Sequence, residues 1–563
     1  MVTEIIELKD SDELIGIDEN FKLTAGPGSG KTRFLINHVK NVIKNSNKLK
    51  KGQKIACITH TNTAVDEIKK RLKNSINEVE VTTIHSFLYK HVVKPYLWTI
   101  IDEFELNIDS KHQIKETFPS YSLTHNNFYW QIQNYNINDE TLNTKLKKLK
   151  WSFEEGELKL KIPNFYLPPS YLREYKNKCW KKGLLSPDDI LFFSYHILNN
   201  HARIRDILKI KFPYLFLDEF QDTISLQSEI IKLIAHSKIT IGVIGDYAQS
   251  IYKFQGADVD SFLNFEIDEK FNQYELKNNH RSNNIIVNIL NHIRNDNFKQ
   301  KACKTTNKSI IPPTIIVGSE INAYNYIKTT LTPTPFYSLS YKSNYVESLK
   351  FKLKYGENIN HIDDKFMDKI FITDNNYHRR QIIRYTILAI ESFRNKNIKD
   401  ALKFIKHAYK NYFDDNNIAL ENLFRLNSQY TKFIKLPITE FYNQYIYGYY
   451  GVKYQIRPSE VKNKYYDKFK YIDFASNLNN IDSNSKFRTI HSCKGKEFNI
   501  IALFLESETN LEFLLEPNIH KESNRVYYVA LSRAKENMII NVQTLNNNSE
   551  NILKQIGFEV IHI

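Results

Sequence analysis

Short apolar runs alternate with amphipathic stretches through the first part of the chain. Residues 22–24 end an apolar run, a loop of small residues follows, and from Arg33 the apolar positions Leu35, Val39 and Val42 recur at the spacing of one helix face. Residues 54–59 (KIACIT) read as a buried strand. Val65, Ile68 and Leu72 then mark a second amphipathic helix, on which Glu67 can pair with Arg71 one turn later. A third strand, 79–83, runs into Ile84-His85-Ser86-Phe87. Strand and helix alternating in this way predict a parallel α/β sheet whose ligands gather at the carboxyl ends of the strands. From about 91 to 187 the alternation gives way to prolines, aromatics and Lys-rich stretches such as 142–150, read as helices of an insertion. The sheet resumes at 213–217 (PYLFL) and 239–244, and further strands are predicted at 314–317, 335–340 and 500–504, with Arg533 on a closing helix. Between them Ile383, Ile387 and Ile390, then Leu402, Ile405 and Tyr409, mark helices of a second insertion. Within it Tyr442, Tyr445, Tyr447, Tyr449, Tyr450, Tyr454, Tyr465 and Tyr466 crowd together. They are read first as a core built from abundant tyrosine and second as a surface for duplex or a protein partner.

Candidate chemistry sits where the strands end. Residues 24–32 read TAGPGSGKT and fit the G-x-x-x-x-G-K-[ST] spacing, with Ala25 in the first glycine position. Gly26, Gly28, Ser29 and Gly30 let successive backbone N–H groups face one point, and Lys31 and the following helix N-terminus add positive charge there. Thr32 can offer its hydroxyl to Mg²⁺. Asp218-Glu219 follow a buried strand directly, which suits one carboxylate to a metal and the other to a water. After the strand at 239–244 come Gln249, able to sense a phosphate, and Tyr252 and Phe254, able to stack on bases or to fill a core.

Composition adds a partner class. Lys and Arg number 78 against 63 Asp and Glu, a formal charge of +15 that favours a polyanion, although Lys/Asn-rich runs such as 45–54 also contribute to it. Cys57, Cys179, Cys303 and Cys493 lie far apart without a C-x-x-C pair, which argues against a zinc ribbon or an iron–sulfur cluster and for reduced thiols. With no leader-like start and no apolar run of about 20 residues, the expectation is a soluble, cytoplasmic protein without a membrane span.

Taken in order, AGPGSGKT, ITHTNTAVDEIKKRL, TIHSF, LFLDEFQD, IGDYAQSIYKFQGAD, LKNNHRSN, TIHSCKGKEF and YYVALSRAKENM give the chain its resemblance to superfamily 1A DNA helicases of the UvrD, Rep and PcrA type, nearly end to end. The resemblance implies an α/β fold of two RecA-like P-loop NTPase lobes, each interrupted by a mainly helical inserted domain. The first lobe is expected at 1–90 and 190–278 with its insertion at 91–189, the second at 279–343 and 485–563 with its insertion at 344–484. It implies ATP and Mg²⁺ as ligands, with Lys31 on the β- and γ-phosphates, Thr32 and Asp218 on the metal, Glu219 on the attacking water and Gln249 coupling the γ-phosphate to the DNA groove. Arg281 and Arg533 would act as arginine fingers and Glu497 would hold the ribose. Single-stranded DNA would meet Thr59, Thr61, Asn62, His85, Ser86, Tyr252, Phe254, Thr489 and His491. The implied activity is ATP-driven 3′–5′ translocation and strand separation at duplex junctions, by a monomer or a subunit of a hetero-complex. The alternative reading is a DNA-stimulated ATPase subunit that senses DNA ends or single strands and regulates a partner nuclease in a phage-defence complex. The pattern departs from the family in three places: no glutamine stands at 5–20, His280 replaces the tyrosine before Arg281, and His60 replaces a phenylalanine. The first two bear on adenine selection and the third on a base pocket. Little chain follows Arg533, so an appended nuclease is not expected.

Overall fold

In the computed structural model, residues 4–104, 106–107, 113–114, 145–146, 148–267, 271–304, 312–332, 334–356, 374, 376–457, 464–478 and 485–563 are described. They divide into two compact units, one of residues 1–281 and 296–304 and the other of 282–295 and 305–563. The sequence pattern starts a second lobe at 279. The chain in fact enters the second unit after Arg281, returns to the first for 296–304, and then leaves it.

The first unit is built on a seven-stranded parallel sheet in the order Ile5–Leu8, Phe271–Leu276, Asn20–Ala25, Thr240–Gly245, Tyr214–Leu217, Ile55–Thr59, Val79–Thr83. Its inner strands Thr240–Gly245, Tyr214–Leu217 and Ile55–Thr59 are buried at every position, as expected when helices cover both faces of a parallel sheet. Ile244 pairs with Leu23, and Val243 with Leu217, so the carboxyl ends of these neighbours lie side by side. The amphipathic patterns form the helices Lys31–Asn45 and Asn62–Leu72, and Glu67 does pair with Arg71 on the second.

The described residues between 91 and 200 hold the helices Pro169–Lys181 and Pro187–Asn200 and also an antiparallel hairpin, Lys150–Glu154 with Glu157–Lys161. This corrects the helical reading of 142–150 at its end, because Lys150 opens a strand; 142–144 and 147 lie outside the described residues. The hairpin arises from a two-residue turn, Glu155-Gly156, both with positive φ (54° and 82°), flanked by alternating Trp151 and Phe153 and by Leu158 and Leu160.

The second unit has a six-stranded parallel sheet in the order Phe487–Thr489, Tyr337–Ser340, Phe498–Phe504, Ala534–Val542, Thr314–Val317, Glu559–His562. Between its second and first strands lies a helical body with its own core, including the helices Tyr377–Arg394, Ile398–Ala408 and Asn416–Ser428. The tyrosine-rich segment mostly feeds that core. Tyr442 and Tyr466 are buried and Tyr445, Tyr447, Tyr450 and Tyr465 pack against it, whereas Tyr449 and Tyr454 are exposed. The guanidinium of Arg425 lies 3.8 Å from the ring centre of Tyr449. Among the described residues all four cysteines are free, and no helix is long and apolar enough to cross a membrane.

One core residue sets a pH dependence. His38, on the helix after the glycine loop, sits among the rings of Phe21, Phe34 and Phe216 at centroid distances of 5.1, 6.0 and 4.9 Å, and neither of its ring nitrogens has a hydrogen-bond partner. Burial lowers its pKa from 6.5 to about 4. The unfolded chain therefore binds this proton more readily than the folded one. The stability that the neutral imidazole permits is complete above the unfolded pKa and is lost as pH falls toward the folded one, by about 3 kcal/mol in all. In chemical denaturation between about pH 7 and about pH 4.5, His38→Phe should lose markedly less stability than the wild type, and equal losses would show that His38 does not carry the effect.

Candidate active site

The glycine loop starts from the strand Asn20–Ala25. Ala25 is fully buried and still in the ladder, paired with Leu276, so its extended backbone has no need of the glycine that the spacing usually places there. Gly28 and Gly30 do need to be glycine, with φ of 75° and 89°. Ser29 is fully buried, and its Oγ donates to the carbonyl of Gly26 at 2.8 Å. Gly30 caps the helix that begins at Lys31, so Lys31 and Thr32 fall in its first turn, where unpaired N–H groups collect. Lys31 Nζ is buried and makes no hydrogen bond.

Two strands away, the backbone N–H of Asp218 donates to the carbonyl of Ile58 at 2.9 Å, which fixes the carboxylate at the end of the sheet. Burial, then the neighbouring Glu219, push the Asp218 pKa up to about 7, while the Lys31 ammonium opposes that shift. The two groups are therefore close enough to feel each other across the loop. Glu219 adopts a left-handed conformation, φ 55° and ψ 38°, uncommon for a residue with a side chain and costing about 1 kcal/mol or more. Gln221 holds it there, donating from Nε2 to the Glu219 carboxylate while its Oε1 accepts from the N–H of Asp246 at 3.0 Å. Asp246 in turn accepts from Gln249 Nε2 at 2.8 Å. A buried chain of hydrogen bonds thus runs from Glu219 to Gln249.

The residues fit a magnesium-bound polyphosphate. A buried ammonium without an acceptor lacks anionic oxygens, and a carboxylate raised toward neutrality lacks a cation; such a ligand supplies both. Thr32 and Asp218 would hold the metal. Arg281 belongs to the same unit, its Cβ 2.7 Å from where a Cβ on Gly28 would stand.

The proposed nucleic-acid contacts of the first unit lie at neighbouring strand ends. Thr59 is buried with its hydroxyl unpaired, and Thr61 caps the helix Asn62–Leu72 by accepting from Ala64 N at 3.2 Å, leaving Asn62 exposed in its first turn. His60 and Tyr252 have parallel rings, 5.9 Å apart and 5° from coplanar. Burial and the neighbouring His60 lower the pKa of His85 to about 4. Ser86, beside it, accepts from the Thr83 hydroxyl at 3.0 Å. Phe254 is 64% exposed, 6.0 Å from the Tyr252 ring. That exposure removes Phe254 from the core reading. Burial, then Asp222 and Glu219, raise the Tyr252 phenol to about 12, which puts this aromatic near both carboxylates.

The remaining candidates lie in the second unit. Glu497 pairs with Lys535 at 3.1 Å. Thr489 ends a strand and its Oγ1 accepts from Ser492 N at 3.3 Å, while His491 lies 5.8 Å from the Tyr341 ring. Arg533 is not on a helix. Glu522–Leu531 stops short of it, and the buried guanidinium donates from Nε to Val529 O at 3.1 Å and from Nη2 to Ser532 Oγ at 2.8 Å. Gln221 and Asp246 stand within the motifs but carry no role on the sequence alone, since only the fold shows that they connect Glu219 to Gln249.

The geometry makes Asp218 a strained group in the free protein. Its raised pKa means that the unfolded chain releases this proton first, so the charged carboxylate weakens the fold as pH rises from the ordinary carboxylate range through about 7. Asp218→Asn should therefore melt higher than the wild type at about pH 8 and lose that advantage near pH 5, by calorimetry without nucleotide; a lower melting point at both would refute the strain.

Comparison with known proteins agrees with this arrangement. The family model for the UvrD/REP helicase N-terminal domain matches residues 13–272, and that for the UvrD-like helicase C-terminal domain matches 475–544. Among similar proteins, a probable DNA helicase II homolog of Mycoplasma capricolum is 27% identical over 55% of this chain and 44% of its own length. An ATP-dependent DNA helicase Rep of Buchnera aphidicola is 27% identical over 68% of this chain and 55% of its own. The Gabija protein GajB of Bacillus cereus is 28% identical over 50% and 48% respectively. The chain thus spans about half the length of these curated relatives. Because the two matched domains together take in more than half of the residues, the chain belongs to the UvrD-like helicase family.

Proposed function

We propose that the chain is an ATP-dependent DNA helicase or translocase, moving 3′ to 5′ on single strands. The observation that carries the reading is the buried, acceptor-free Lys31 ammonium set against the raised Asp218 carboxylate at the carboxyl ends of two strands of one sheet. In this reading Lys31 and the loop amides bind the terminal phosphates, and Thr32 and Asp218 would hold Mg²⁺, whose charge would neutralise that of the phosphates. Glu219, aimed by Gln221, orients the attacking water and takes its proton. Arg281 supplies bidentate cationic contacts to the charge that develops, and the family resemblance assigns Arg533 the same part. Glu497 holds the ribose. Tyr252 and Phe254 take bases by stacking, which tolerates any sequence, while Thr59, Thr61, Asn62, His85, Ser86, Thr489 and His491 hold phosphates. The Glu219–Gln249 chain supports coupling, since a change in the strand at Tyr252 lies near the group that positions the water. The division into two lobes at 1–90 with 190–278 and 279–343 with 485–563, each carrying an insertion, belongs to the same proposal, as do the 3′–5′ direction and the cytoplasmic location.

A second reading keeps the chemistry and changes the purpose it serves. There the chain is a DNA-stimulated ATPase subunit that works with a partner nuclease in phage defence. A relative carrying the name Gabija protein GajB, rather than a helicase name, supports retaining it.

Hydrolysis of ATP with and without single-stranded DNA, followed by strand separation on a 3′-tailed duplex, separates the two. Stimulated hydrolysis with unwinding is the expected result; stimulation without unwinding favours the second reading, and hydrolysis indifferent to DNA overturns both. Glu219→Gln should lower kcat by about 10²- to 10⁴-fold while nucleotide still binds, and Lys31→Ala should abolish turnover. Tyr252→Ala should weaken single-strand binding by about 1–3 kcal/mol in a fluorescence titration, and an unchanged affinity would return Tyr252 to a packing role.

A further inference from the structure

The outer side of the glycine loop is gripped by residues distant in sequence. A two-stranded ribbon, Asn278–Asn283 with Lys301–Lys304, lies against it. The backbone N–H of His280 donates to Gly28 O at 2.9 Å. Gln300, only 4% exposed, donates from Nε2 to Pro27 O at 2.9 Å, and its Oε1 accepts from Asn279 Nδ2 at 3.4 Å. Asn279, fully buried, also accepts from the N–H of Arg281 at 2.9 Å. The fit is close: a Cβ on Gly26 would lie 2.3 Å from Gln300 Nε2, and one on Gly28 would lie 2.6 Å from Asn279 Oδ1. Gly26 is therefore glycine because of Gln300, not because of its φ. Gly26, Pro27, Gly28, Asn279, His280, Arg281 and Gln300 all belong to the first unit.

In a trans peptide the carbonyl and the N–H of one plane point in opposite directions. Holding the carbonyl of Pro27 outward with Gln300 therefore aims the N–H of Gly28 the other way, while the N–H of Ser29 donates to Gly26 O at 3.4 Å within the loop. We infer that Gln300 and Asn279 are positioning residues of the nucleotide site, which set the inward orientation of the Gly28 amide by pinning the Pro27 carbonyl behind it. This rests on the nucleotide-site reading above. Neither residue touches the ligand. The loop amides do, and a loop free to rock would lose part of its binding to ordering them.

The test is MgADP binding to the full chain by calorimetry, beside thermal melting without nucleotide. Gln300→Met keeps the volume and removes the amide. It should raise the Kd for MgADP about tenfold, equivalent to about 1.4 kcal/mol, with the nucleotide-free melting point unchanged from wild type. Asn279→Ala should behave alike. Gly26→Ala, whose methyl expels the Gln300 amide, should give the same loss, and the Gly26→Ala/Gln300→Met pair should lose no more than either alone. Wild-type affinity in Gln300→Met, additive losses in the pair, or a fall in melting point that accounts for the weakened binding would each overturn the positioning role. A wild-type chain that fails to bind MgADP would overturn the nucleotide-site reading itself.

Discussion

An ammonium taken out of water without an acceptor is among the least favourable groups a fold can hold, and the first unit holds one at Lys31. It is kept there by backbone geometry. The left-handed Gly30 turns the chain into a helix whose first residue is Lys31, and the apolar face of that helix is locked beneath a sheet whose inner strands are buried throughout. The nearby Asp218 has its backbone fixed by its own bond to Ile58, so both groups start from anchored main chain. In the proposed reading a polyphosphate and its metal would supply the opposite charges to both groups.

The same economy of movement applies to the acid beside it. Glu219 occupies a left-handed conformation that a glutamate would leave if free, and Gln221 holds it there through a bond anchored on the Asp246 amide at the next strand end. Since Asp246 also receives Gln249, the candidate catalytic carboxylate and the candidate phosphate sensor share one buried hydrogen-bonded chain. Fully satisfied buried networks of this kind adopt one geometry, which is what positioning a water demands.

What could be read from the sequence was whatever chemistry is local. The order of small residues and Lys31, the acid pair after an apolar run and the alternation of strands and helices each depend on neighbours a few residues away, and the sheets and the glycine loop follow from them. Arg533 was misplaced by a residue or two because a helix end depends on capping, and the Lys150–Glu154 strand was missed because its signal is the Glu155-Gly156 turn and not helical periodicity. The role of Gln300 had no local signal at all. It lies more than 270 residues from Pro27, and only the ribbon brings the two together. The tyrosines of the second unit could not be assigned singly, since Tyr442 and Tyr449 differ in burial while sharing the same surroundings in sequence.

The path of the chain also sets an order of events during synthesis. The strand Phe271–Leu276 lies between Ile5–Leu8 and Asn20–Ala25, so the first sheet cannot close until its latest strand has left the ribosome. The residues that hold the glycine loop from behind come later still, at Asn279 and Gln300, separated by a stretch belonging to the other unit. A nascent chain that has made the nucleotide loop and the acid pair therefore still lacks the strand and the ribbon that set them, which keeps the site incomplete until the second unit has begun to emerge.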